Sequence, residues 1–218
     1  MTMKRIAGII ETVFDVAYLM TAIIIGIILF ADSSRNIPRL LASTMAGLLI
    51  IGDAFHLLPR LLFLVRPQEE TLTKYLGTGK QITSITMTLF YVLLWQIGML
   101  LFAVPNEQFW TIIMTLLAIV RIGLCLIPQN NWQQRQPPLN FAIYRNIPFL
   151  IQGILVGVLF FLYRSAIPNL NLIWLAVSLS FLFYIPVVLF SNKFPLIGIL
   201  MLPKTVAYVW ILIMMLSL

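Results

Sequence analysis

Seven apolar blocks, broken by short polar stretches, run the length of the chain. Each is long enough for a membrane-crossing helix, which needs about 20 mainly apolar residues. They cover 6–30, 39–65, 81–104, 109–128, 140–163, 170–191 and 194–217. Asp32-Ser33-Ser34-Arg35-Asn36 separates the first pair, and Pro38 marks the entry to the second block. Arg66 to Lys80, with Pro67, Glu69, Glu70 and Gly77-Thr78-Gly79, reads as the longest polar loop. Pro105-Asn106-Glu107 predicts a tight turn, Gln129 to Pro138 a Gln/Asn-rich loop, and Pro168-Asn169 and Ser191-Asn192-Lys193 the last two turns. The expectation is an all-α integral membrane protein, a bundle of seven transmembrane helices, with residues 1–218 forming a single transmembrane domain.

Composition agrees. The chain is 61% hydrophobic and only 10% charged, against about 25% charged in soluble domains. So few charges cannot cover a water-facing surface of 218 residues. Lys4 and Arg5 resemble the start of a signal peptide. The apolar stretch after them is too long, and Glu11 and Asp15 interrupt it, so it reads as a retained span. The net charge of +7 is assigned to Lys and Arg flanking the spans, not to nucleic-acid binding, for which there is no basic water-exposed domain. Counted over the short loops, Lys4, Arg5, Arg66, Lys74, Lys80, Arg135 and Lys193 fall on the N-terminal side of the bundle. Arg35, Arg39 and Arg164 fall on the other. The positive-inside rule then predicts a cytoplasmic N-terminus and an external C-terminus, in a cell membrane of cytoplasmic type.

Eight ionisable residues fall inside the predicted spans: Glu11 and Asp15 in the first, Asp53, His56 and Arg60 in the second, then Arg121, Arg145 and Lys204. Each costs about 2.5–3.5 kcal/mol at mid-bilayer on insertion scales, so each needs a partner, a wet cavity or a route to the interface. At about 1.5 Å of rise per residue, Glu11, Arg60 and Arg145 lie roughly 8 Å from the inner end, Arg121 roughly 10 Å, and Asp15, His56, Lys204 and Asp53 roughly 14–18 Å. Five spans thus put charge into one half of the membrane. Glu11 and Asp15 share a helix face, as do Asp53, His56 and Arg60. All eight are candidate ligand-binding residues of one polar pocket open to the inner side. Pro59, Pro148, Pro186 and Pro203 fall within spans and would free the carbonyls of Phe55, Tyr144, Leu182 and Ile199 nearby. Separate structural ion pairs and snorkelling side chains are the competing explanation.

Four firm cations against three carboxylates favour an anionic group such as phosphate or carboxylate. Tyr91, Trp95, Tyr144, Tyr184 and Tyr208 are candidates for an aromatic wall. Thr83, Ser84, Thr86 and Thr88 supply hydroxyls to ligand or to neighbouring helices. The expected function is a transporter or substrate-binding membrane subunit for a small anionic or amphipathic molecule. The lipid bilayer is then its main partner, with a partner subunit or a second copy conceivable. The alternative is an intramembrane enzyme acting on a lipid or isoprenoid, with Asp53 or Glu11 as base and His56 as acid–base partner. No metal site is expected, since His56 is the one histidine, and no cofactor is expected. Cys125 has no partner for an intrachain disulfide.

Two resemblances bear on this. Lys204 on the seventh span, with the Tyr184-Ile185-Pro186 step on the sixth, resembles the rhodopsins, which would make Lys204 a retinal attachment site. The third span lacks their carboxylate counter-ion, and the predicted topology is inverted. Gly47-Leu48-Leu49-Ile50-Ile51-Gly52-Asp53 is similar to the intramembrane Gly-Asp step of lysoplasmalogenase-like proteins, whose other motifs are absent and which usually have eight spans. Leu76-Gly77-Thr78-Gly79-Lys80 lacks the glycine spacing and preceding strand of a P-loop.

Overall fold

The computed structural model describes residues 3–34, 36–65, 70–134 and 137–218, except the side chains of 3–12, 56, 58–65, 70–73 and 195. Seven α-helices follow in order: α1 Met3–Ala31, α2 Ile37–Val65, α3 Glu70–Leu101, α4 Glu107–Leu126, α5 Leu139–Leu162, α6 Ile173–Phe190 and α7 Met201–Met215. Short 3₁₀ segments at Pro128–Asn130, Pro168–Leu170 and Pro195–Leu200 precede α5, α6 and α7. No strand occurs among the described residues, and seven stretches are long and apolar enough to cross a membrane.

Each helix packs on its neighbours in sequence, and α1 also packs on α7, so the seven form a closed ring. Helix α3 is drawn into the middle, with half of its apolar stretch buried against 22–39% for the others. Its Tyr91 hydroxyl pairs with Ser180 Oγ of α6 at 2.9 Å, and its Phe90 ring meets Tyr208 of α7 edge-on at 5.5 Å. The outside of the ring is apolar. Ile112, Leu116 and Ile119 of α4 and Ile147, Ile151 and Ile154 of α5 are exposed along continuous stripes. The inside carries buried Asp15, Arg121, Gln152, Ser180 and Lys204. A water-soluble helix shows the reverse pattern, an apolar stripe inward and polar residues outward.

The structure corrects the sequence reading at two places. The polar stretch expected to be a loop as far as Lys80 is helical from Glu70 onward, including Gly77-Thr78-Gly79. Packing explains it: a Cβ on Gly77 would collide with the Trp132 carbonyl, so the glycine lets a distant loop dock on α3. The other correction concerns Pro203, which stands in the first turn of α7 and not in a helix interior. A first-turn N–H has no intrahelical acceptor, so this proline leaves the helix unbroken there. Pro148 and Pro186 do lie inside α5 and α6.

Candidate functional site

The loop after α4 builds the floor of the site. The last carbonyls of a helix have no intrahelical donor, and here side chains supply it. Asn130 Nδ2 donates to Leu124 O at 2.6 Å and Ile127 O at 2.8 Å. Trp132 Nε1 and, from α3, Gln81 Nε2 both donate to Cys125 O, at 3.0 and 3.1 Å. These bonds fold the Gln/Asn-rich segment back under the ring and bury Asn130 and Trp132.

Above that floor lies a cavity of about 270 Å³ between α3, α4, α5, α6 and α7. Four cations line it: Lys80 of α3, Arg121 of α4, Arg145 of α5 and Lys204 of α7. Among the described residues that line it there is no carboxylate. Thr83 and Ser84, Asn146, and the rings of Trp132, Phe149 and Tyr184 complete much of the wall.

Aromatic faces hold three of these cations. The Arg121 guanidinium sits 3.2 Å from the centroid of the Phe149 ring. Arg145 lies 4.1 Å over Trp132 and donates from Nη1 to Asn130 Oδ1 at 2.9 Å. Lys204 Nζ is 4.5 Å from the Tyr184 ring and 5.2 Å from that of Tyr208. None of the three has a carboxylate oxygen within 4.0 Å among the described residues. A ring quadrupole attracts a cation by roughly 0.5–2 kcal/mol but carries no net charge, so the positive field survives. Arg121 is the extreme case. It is 1% exposed, and its Nε and Nη1 have no hydrogen-bond partner.

The acidic candidates lie elsewhere. Asp53 does not line the cavity. Its Oδ2 accepts a 2.5 Å hydrogen bond from the Tyr18 hydroxyl on the α1–α2 side of the ring. Asp15 is buried on α1, outside the cavity wall. The side chains of Glu11, His56 and Arg60 fall outside the described residues. Of the eight sequence candidates, the structure therefore brings Arg121, Arg145 and Lys204 to one cavity; Asp53 and Asp15 are not among its lining residues, although the Asp53 carboxylate lies within electrostatic reach of Lys204. Next to Asp53, Gly52 is a point of close approach between α2 and α3. Thr83 Oγ1 donates to Gly52 O at 2.7 Å, and a Cβ at Gly52 would collide with Thr86 Oγ1.

Lys80, Asn130, Trp132 and Asn146 escaped the sequence reading as site residues. Lys80 was assigned to a loop, where it would only anchor a helix end. A tryptophan in the middle of the run Gln129–Gln134 was the available signal, because an aromatic in a polar loop needs somewhere to be buried. The buried amide of Gln152, one turn beyond Phe149 and without a partner at either Nε2 or Oε1, was missed too.

No family model matches the chain, and comparison with curated proteins and with solved structures finds no similar one.

Proposed function

We propose that this chain is a multi-pass membrane protein with a cytoplasmic N-terminus, and that its cavity captures the anionic group of a small or amphipathic molecule for transport or for presentation to a partner subunit. The Arg121 guanidinium carries the reading. A buried polar group without a partner costs about 1–3 kcal/mol, more when charged, and Arg121 bears that cost twice over in a cavity lined by three further cations. A phosphate or carboxylate supplies the missing acceptors, and the planar guanidinium suits two parallel bonds to either. A volume of about 270 Å³ admits such a group with a short extension, near the lower end of ligand pockets.

Capture is favoured over covalent chemistry by the state of the hydroxyls. Thr83 and Ser84 both donate to backbone carbonyls, Gly52 O and Lys80 O respectively. Among the described residues neither has a general base beside it in the cavity, where the ionisable lining groups are Lys, Arg and Tyr. The membrane assignment rests on the apolar outer stripes and polar interior described above.

The test is a thermal-shift titration of purified protein with butyl phosphate. Wild type is expected to be stabilised in a saturable way. Arg121→Met and Lys204→Met are expected to lose about tenfold or more in affinity, the worth of a charge-assisted bond. Without ligand, Arg121→Met is expected to be as stable as wild type or more so, because an uncompensated buried charge is replaced by apolar volume. A response that is equal in wild type and Arg121→Met would sink the reading.

A further inference from the structure

A second hollow meets the cationic cavity, and it has the opposite character. It is an apolar groove of about 120 Å³ between α5 and α6. Ile143, Ile147 and Leu150 form one wall, and Phe181, Ile185 and Leu189 form the other. Asn146, Tyr184 and Val188 line both spaces, so the two adjoin across these side chains. Asn146 and Tyr184 mark the junction with a hydrogen bond, the Tyr184 hydroxyl donating to Asn146 Oδ1 at 2.9 Å. Ile147, Ile185 and Leu189 are also exposed on the outside of the ring, so the groove opens sideways.

Resting on the reading of the cavity as an anion site, we infer that the ligand is a single-chain amphiphile with a phosphate head, which sits among the four cations while its apolar chain lies in the α5–α6 groove. Arg121, Arg145 and Lys204 facing one small space, with Lys80 on its wall, suit a dianionic phosphate monoester better than a single carboxylate. The groove starts beside Asn146, near the loop end of the bundle, and runs past Leu150 and Phe181 toward mid-bundle. That is the course of a chain belonging to one leaflet, with its head near the interface. One face of each helix forms the walls, which gives room for one chain and not two. Both helices carry an interior proline beside the groove, Pro148 and Pro186. Each removes an intrahelical hydrogen bond, which weakens the helices where a ligand would pass between them from the bilayer.

Photolabelling tests this with dodecyl phosphate bearing a diazirine at mid-chain, added to the full-length protein in zwitterionic lipid nanodiscs. Label is expected on peptides spanning 143–150 and 181–189. Excess butyl phosphate and the Arg121→Met substitution should each reduce it about tenfold. Ile147→Trp, at a position already exposed, should fill the groove, abolish the labelling and leave the butyl phosphate response intact. Competition by unlabelled dodecyl phosphate and by farnesyl phosphate ranks straight against isoprenoid chains, and displacement by either supports the assignment. Label spread over the outer faces of α1 and α4 and insensitive to butyl phosphate would overturn the groove while the cavity stands. A wild-type protein that shows no Arg121-dependent response to butyl phosphate itself would remove the cavity reading, and the chain site with it.

Discussion

Residues that look alike in the sequence have been given different tasks by their surroundings. Arg121, Arg145 and Lys204 rest on aromatic faces and keep their charge available. Arg39 is neutralised by Asp32 at 3.0 Å. Its Nη1 also donates to Leu216 O at 3.3 Å, so it ties the start of α2 to the end of α7. Asp53, a candidate ligand-binding residue in the sequence, is held by a tyrosine. Tyr18 is 5% exposed, and removing its hydroxyl leaves a carboxylate oxygen without its donor. Tyr18→Phe is expected to destabilise by about 1–3 kcal/mol, measured by unfolding in mixed micelles of increasing SDS content. In a double-mutant cycle with Asp53→Leu the two losses should be strongly non-additive. Simple additivity would mean that the 2.5 Å bond contributes nothing.

Between elements, small residues set how near the helices come. Gly52 and Gly47 occupy the same helix and look equivalent in the sequence. A Cβ on Gly52 would collide with Thr86 Oγ1, whereas a Cβ on Gly47 meets nothing within 4 Å. Gly52→Ala is therefore expected to destabilise by about 1–3 kcal/mol through overpacking. Gly47→Ala should be neutral or stabilising, since alanine is favoured over glycine in a helix by about 0.8–1.0 kcal/mol. Thr86→Ala should recover part of the Gly52→Ala loss, because it removes the colliding hydroxyl. Thermal unfolding of the four variants in one detergent checks this, and equal effects at the two glycines would refute the close approach. The misassigned stretch before Lys80 belongs to this scale as well. Its charges and paired glycines resemble a loop locally, and only the docking of Trp132 on Gly77 accounts for a buried helical turn there.

For the molecule as a whole, seven crossings, as proposed, would put the termini on opposite sides, with the flanking cations as the guide to direction. Lys74 and Lys80 now belong to α3, so both leave the loop count. The remaining Lys and Arg still favour a cytoplasmic N-terminus. A bacterial alkaline phosphatase fused after Leu218 should be active and a green fluorescent protein fused there dark. The reverse pattern would invert the bundle and make the cavity face outward. Ring closure by α1 and α7, with α3 in the middle, gives the cavity its walls from five helices at once. No single helix carries enough of the site to bind an anion alone.

The sequence by itself determined seven apolar helices long enough to cross a membrane, their approximate limits and the concentration of ionisable residues toward one end of the spans. These are local properties: hydropathy over about 20 residues and rise per residue need no knowledge of neighbours. It also placed Arg121, Arg145 and Lys204 among the binding candidates, because charge in an apolar block stands out. Tertiary structure alone decided that these three share one cavity with Lys80, that Asp53 is bonded by Tyr18, and that aromatic rings face the three cations. Those outcomes depend on which helix faces meet when the ring closes, and the contacts involved join residues as far apart as Lys80 and Lys204.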